Sequence, residues 1–162
     1  MMIDVGCGVN PHPAACVGVD LYMGAVSPDI HVEIDPQRIP NPIKADIHHL
    51  PLRSKVFEEA YCRAVLEHVE DPTKALRELL RVSRCRVQVI IPHRYFRNRA
   101  WQRPPREHRW FFGVRQVRAW LNSLGLRYHL WVERKPYPSA LIPIVWLPHL
   151  IYITIYLERW NP

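Results

Sequence analysis

Glycine is scarce in this chain of 162 residues, with only 6, and lysine is scarcer still, at 4 against 18 arginines. So few glycines exclude a flexible glycine-rich linker or a collagen-like repeat. They also make each glycine that does occur a candidate for a tight turn. Cysteine is limited to Cys7, Cys16, Cys62 and Cys85, with no CxxC pair and no metal-finger spacing. That excludes a disulfide-stapled miniprotein and a zinc-ribbon module, and it reads as reduced, mostly buried thiols of a cytoplasmic protein. No signal peptide is expected, because Met1–Gly8 runs straight into a core-like strand. Long apolar runs are lacking apart from Ser139–Leu157, about nineteen residues, the length of a membrane span. Pro143 and Pro148 interrupt it, His149 sits inside it, and Ile151–Leu157 has strand-like composition. A terminal core strand after an exposed hydrophobic loop is the preferred reading. That loop could serve as a dimer contact, a lid or a membrane-surface contact.

What remains is an ordinary globular balance, 48% hydrophobic and 23% charged. The length suits one domain over residues 1–162. The 16 prolines imply stiff loops. The net charge of +7 is local: Arg94 to Arg118 holds eight arginines and one acid, Glu107, while the basic and acidic groups elsewhere cancel. Arginine presents a planar fork to phosphate or carboxylate and stacks on aromatic rings. Tyr95, Phe96, Trp101, Trp110, Phe111 and Phe112 interleave with these arginines. That mixture suits either single-stranded RNA or a phosphorylated or carboxylated small molecule. A solvated surface explains it equally well.

Met1–Val5 reads as a buried strand running into Gly6-Cys7-Gly8. Cys16–Leu21 is a second strand, ending at Asp20. Prolines 28, 36, 40 and 42 exclude a long helix from Tyr22 to Lys44, though His31–Ile34 suits a short strand. Ile43–Asp46, Val56–Cys62 and Val87–Ile91 are further strands. Asp71-Pro72 opens the clearest helix, Asp71 as N-cap and Pro72 at the first helical position. Ala75, Leu76, Leu79 and Leu80 form its apolar stripe. Val114–Leu124 is a second helix, closed by Gly125. Tyr128–Glu133 and Leu150–Leu157 complete the set as strands. Strands and helices therefore interleave, which predicts an α/β fold around a mainly parallel sheet.

The ordered motifs are an acid-x-Gly-x-Gly loop (Asp4 to Gly8), Asp20 at the end of strand two, Ala45-Asp46-Ile47-His48-His49-Leu50-Pro51, and Leu66-Glu67-His68-Val69-Glu70-Asp71-Pro72. Together they resemble the class I S-adenosylmethionine-dependent methyltransferases, specifically the type 11 branch, over roughly Met1 to Leu126. The resemblance implies a Rossmann-like methyltransferase sheet with an antiparallel last strand. Residues 1–92 would form the cofactor half, and 93–162 an acceptor-side loop, helix and final strands. It implies S-adenosyl-L-methionine as cofactor. Gly6 and Gly8 would lie against its methionyl part, with Asp4 supporting the loop. Asp20 would hold the ribose hydroxyls, Leu21 would pack near the adenine, Asp46 and the Ile47 backbone would meet the adenine edge, and Arg63 to Leu66 would border the reactive end. His68, with Glu67, is the candidate general base. His93, Arg94, His108 and Trp110 are the candidate acceptor contacts. No metal is expected: the adjacent His48 and His49 point to opposite sides of an extended backbone. A small-molecule acceptor is favoured over RNA bound through Arg94–Arg118, and a homodimer or a partner subunit could complete the pocket.

This chain departs from the family pattern. Asn10 replaces the third loop glycine, and only Val9–Ala15, with Pro11 and Pro13, separates Gly8 from strand two. No regular helix fits there, so the first helix is expected to be missing or vestigial. This motivates a second reading, a methyltransferase-fold binding module that lacks catalysis or depends on a partner. A nicotinamide-binding domain is disfavoured, since Pro11 would occupy the third glycine position and Asp20 comes too soon.

Overall fold

The computed structural model describes residues 1–28, 31–94, 108–137 and 145–157. Seven strands form one sheet: β1 (Met2–Val5), β2 (Ala15–Asp20), β3 (Ile43–Lys44), β4 (Phe57–Arg63), β5 (Ser83–Pro92), β6 (Arg127–Tyr137) and β7 (Val145–Tyr156). Their order is β3-β2-β1-β4-β5-β7-β6. All pairings are parallel except those of β7, which runs antiparallel to both β5 and β6. The expected α/β sheet with an antiparallel last strand is thus present.

Two α-helices accompany it among the described residues, α1 (Pro72–Val82) and α2 (Val114–Ser123). Asp71 caps α1 by accepting from the Thr73 and Lys74 amides at 2.9 and 3.0 Å. Helix α2 ends at Leu124, and Gly125 turns away at φ 65°. Both helices share one buried cluster with Ile3, Val5, Val19, Ala60, Cys62, Val87, Val89, Ile91, Ile151, Ile153 and Ile155. Side chains alternate along a strand, so these positions define one face of the sheet. The core lies between that face and the helices.

No helix joins β1 to β2. Residues 6–14 cross as a bare loop, held by the His12 amide on Asp4 Oδ2 (2.7 Å) and the Ala15 amide on the His12 carbonyl (2.9 Å). Between β2 and β3 the only helical piece among the described residues is a 3-10 turn, Pro36–Arg38. That connection packs Ile39 over Gly18, in a small second cluster with Cys7, Met23 and Ile34.

Several boundaries differ from the sequence reading. His31–Ile34 is no strand: Glu33 and Ile34 make isolated bridges to Val26 and Met23. Strand β5 begins at Ser83, directly after α1, because its polar first residues still pair with β4. Strand β7 begins at Val145, so the second half of the apolar stretch is an interior strand of the sheet. The loop expected before it, including 138–144, lies outside the described residues. No helix among the described residues is long and apolar enough to cross a membrane.

Candidate functional site

Strand order reverses between β1 and β4, since the chain leaves β1 toward β2 and β3 and returns on the other side. In an open parallel sheet, the carboxyl ends of strands flanking such a reversal leave a crevice. Here it is a cleft of about 1000 Å³. Gly6, Gly8, Asp20, Leu21, Asp46, Ile47, Arg63, Glu67, His68 and His108 all line it. Ten of the candidate residues, from six separated stretches of chain, therefore meet at one place.

The floor is set by the glycine loop. Gly6 has φ 74°, and a Cβ there would come 2.1 Å from Val65 Cγ2. Gly6 is therefore required twice, for a left-handed backbone and for the close approach of the loop after β1 to the turn after β4. Gly8 (φ 54°) has no atom within 4 Å of a Cβ position, so room remains above it. Ala64, also in the cleft, is held at φ 54° without being glycine, with its amide on the Ile90 carbonyl at 2.8 Å. Such a conformation costs of order 1–3 kcal/mol and persists where surrounding contacts impose it.

Asp20 organises the loop. Its Oδ2 accepts from the Gly8 amide at 3.0 Å and its Oδ1 from the Tyr22 amide at 2.9 Å. Each carboxylate oxygen keeps a second lone pair for a ligand hydroxyl. Leu21 stands beside it as an exposed apolar shelf, 49% accessible. Asp46 is half-exposed. Burial raises its pKa, but the hydrogen bonds from the His48 amide (2.8 Å) and ring (2.7 Å), with the charges of His48 and His49, bring it below the ordinary carboxylate value. Cys7 under the loop is a protonated thiol: burial, then the Asp20 and Asp4 carboxylates, push it up to about 12.

The far end of the cleft is built differently. Glu67 is buried, 1% exposed, and its Oε1 lies 3.8 Å from His68 Nε2. The His68 ring meets His108 edge-to-face at 4.8 Å and 88°. The Glu67 carbonyl accepts from the Arg109 and Trp110 amides at 2.8 and 3.1 Å, and Trp110 Nε1 donates to the Val69 carbonyl at 2.9 Å. These bonds lock residues 108–110 onto the turn after β4. Arg63 and Arg109 also line this end of the cleft.

Four candidates lie outside the cleft lining. Asp4 is buried beneath the loop on the His12 amide, and burial raises its pKa more than that bond lowers it. His93 is buried, bridging to Phe112, and does not reach the cleft. Arg94 extends to the Gln116 side chain over the start of α2. Trp110 is a strut rather than a cleft wall. The adjacency of His93 and Arg94 to β5 does not bring them to the site: Ile90 and Pro92 of that strand line the cleft, whereas His93 continues the opposite, helix-covered side and Arg94 turns to Gln116. Most of the basic, aromatic stretch, Tyr95 to Glu107, lies outside the described residues. Val65 lines the cleft within the expected Arg63–Leu66 border, whereas Tyr22, Arg109 and Leu150 are cleft residues that sequence reasoning did not single out. Tyr22 and Arg109 carried a signal, Tyr22 beside Leu21 and Arg109 between His108 and Trp110 in the basic stretch.

A family model described as a methyltransferase domain matches residues 3–91. No curated protein matches the chain. Solved structures do. An S-adenosylmethionine-dependent methyltransferase of Thermotoga maritima superposes with TM-score 0.69 at 17% identity, covering 97% of this chain and 82% of its own. A second, from Archaeoglobus fulgidus, gives 0.66 at 14% identity over 96% and 85%. A chain of the Haloferax volcanii complex between the Trm112 methyltransferase activator and a methyltransferase gives 0.59 at 13% identity over 98% and 82%. At such identities the superpositions speak to fold alone.

Proposed function

The chain belongs to the class I methyltransferase domain family, in its type 11 branch, and from that premise we propose that it transfers a methyl group to a small anionic acceptor bound at the histidine end of the cleft. The family cofactor is S-adenosyl-L-methionine, which when bound supplies an electrophilic methyl group on a sulfonium. The donor set suits it. Space lies open above Gly8, Asp20 retains acceptor lone pairs, Leu21 offers an apolar shelf, and Asp46 presents an exposed carboxylate. Asp20 would hold the ribose hydroxyls, Leu21 and Ile47 the adenine, and the Gly6–Gly8 loop the methionyl part.

The single observation that carries this reading is the convergence of Gly8, Asp20 and Asp46 with Glu67, His68 and His108 in one cleft. The chain's task is to position the acceptor and exclude water. A neutral imidazole at His68 or His108 can take the proton of a hydroxyl or ammonium acceptor. The buried Glu67 side chain lies 3.8 Å from the His68 ring and orients it toward the cleft end. Arg63 and Arg109 on the wall favour an acceptor with a carboxylate or phosphate.

Calorimetric titration with S-adenosylmethionine and S-adenosylhomocysteine tests this. Binding in the micromolar range is expected. A hydrogen bond to a charged group contributes about 1.5–3 kcal/mol, so Asp20→Ala should weaken binding by at least about tenfold. Absence of binding by a folded chain would overturn the reading. It would favour instead a binding module that acts only with a partner, a view supported by the sheet face that neither α-helix covers.

A further inference from the structure

We propose that Glu67, His68 and His108 form a binding site for a divalent transition-metal ion of the zinc type. One ligand atom from each of the three lies within 4.8 Å of the others. The donors come from two segments far apart in the chain, so no spacing in the sequence announces them. Two imidazoles and a carboxylate, with a fourth position open, are the ligand set of catalytic zinc. Around such an ion, bonds of about 2.0–2.2 Å place tetrahedral donors roughly 3.3–3.6 Å apart. Glu67 and His68 stand at 3.8 Å already. His108 must approach by an ångström or so, a small rotation of one half-buried ring.

The surroundings favour the ion. Glu67 is buried, so its position is fixed by packing. The Arg109 and Trp110 amides on the Glu67 carbonyl hold the His108 segment against the Glu67–His68 turn before any ion arrives. The two imidazoles border the cleft, which gives an entry path and aims the open coordination position into it. The other histidine pair is engaged elsewhere: His48 with Asp46 at 2.7 Å, and His49 with Lys74 Nζ at 2.7 Å.

An ion at this point would take its fourth ligand from the cleft. A hydroxyl or thiol coordinated there would lose its proton to cleft water near neutral pH, because the positive charge stabilises the conjugate base, and the two imidazoles would then serve as ligands in place of acting as bases. The acceptor class is then a small chelating molecule, with a hydroxyl or thiol on the metal and an anionic group near Arg63 or Arg109. This assignment of the acceptor rests on the methyltransferase reading, whereas metal binding itself does not.

The test is titration of the chelator-treated chain with Co²⁺, followed by displacement with Zn²⁺. One equivalent of cobalt with the visible absorption of a low-coordinate nitrogen and oxygen site is expected, quenched by zinc. His108→Ala and His68→Ala should each weaken it by at least about tenfold, and His49→Ala should leave it unchanged. Glu67→Gln should also weaken it. If burial makes that variant misfold, His108→Ala decides, because its ring is only partly enclosed. No saturable cobalt binding would overturn the proposal, as would binding that survives in the two imidazole variants. S-adenosylmethionine titrated into His108→Ala separates the two readings: cofactor binding with metal lost supports both. Metal binding without cofactor binding in the unsubstituted chain would sink the methyltransferase reading alone.

Discussion

The two faces of the sheet are unlike. On the face toward α1 and α2, eleven positions from Ile3 to Ile155 are aliphatic, alanine or cysteine, and none is more than 2% exposed. On the other, β4 presents Glu59, Tyr61 and Arg63, β5 presents Arg86, Gln88 and Ile90, β7 presents Tyr152, Thr154 and Tyr156, and β6 presents Arg127, His129 and Trp131. The handedness of parallel crossovers explains the asymmetry. Right-handed connections that step from β4 to β5 lie on one face, and those that step the opposite way, from β1 to β2 and β2 to β3, lie on the other. The first kind kept its helices, and the second kind is a proline-bearing loop and a 3-10 turn. The cleft survives this loss because it is built from strand ends and turns. Among the described residues, no helix lies on that second face over β4, β5, β7 and β6.

The sharpest way to break the comparison is by truncation on each face. Leu79 in α1 is wholly buried against the sheet. Leu79→Ala should cost about 2–5 kcal/mol, the range for a core leucine whose cavity only partly collapses. Thr154→Ala, at a half-buried position on the other face, should cost less, about 1 kcal/mol, the centre of the range for point substitutions. Urea unfolding of both variants measures the contrast. Similar losses would mean that the second face is as buried as the first.

A smaller effect lies on the open face itself. Trp131 stacks on Tyr152 with centroids 3.8 Å apart and planes 7° from parallel, yet it remains 48% exposed. An aromatic pair of this kind contributes about 0.5–1.5 kcal/mol beyond its buried area. Trp131→Ala should lose roughly that much, and Tyr152→Ala should add less in its background than alone. A double-mutant cycle by urea unfolding gives the coupling. Zero coupling would show that the rings share a place without stabilising the sheet.

This asymmetry was written in the sequence in a form that is easy to overlook. A parallel strand buried on both sides reads as a continuous apolar run. Glu59-Ala60-Tyr61-Cys62-Arg63 and Arg86-Val87-Gln88-Val89 alternate instead, which signals a single buried face. The elements with strong local chemistry were legible: the Asp71-Pro72 cap of α1, the glycine loop after β1, and Gly125 after α2. The glycine-loop end of the cleft was legible too, because Asp20 ends β2 and Asp46 follows two residues after β3, so both fall at the carboxyl ends of strands. The junction of His108 with Glu67 and His68 was not, because it depends on amide bonds from residues 109 and 110 to the Glu67 carbonyl, which only the folded chain creates. The reach of Arg94 away from the cleft was hidden for the same reason, since Gln116 on α2 draws it there.

The smallest effect vanishes at neutral pH and belongs to the helix-covered face, at its edge beyond β5. His93 continues the alternation of Val87, Val89 and Ile91, and it is buried. Burial first, and then the Arg94 charge, hold its imidazole below the ordinary value of 6.5. The folded chain therefore binds fewer protons there than the unfolded chain as acid is added. Stability should be unaffected above pH 6.5, fall as the pH drops through 6.5, and stop falling once the pH is below the folded value. Asp46 acts in the same sense but lower: its depressed pKa stabilises above 3.8 and is lost only as the pH falls beneath that. The window between about pH 6 and 5 thus isolates the imidazole from that carboxylate. Urea midpoints taken from pH 8 to 5 should slope downward with acid in the unsubstituted chain and less steeply in His93→Gln. An equal slope in both would show that this end of the helix-covered face is open to water, and that the contrast between the faces stops at the last strand residue.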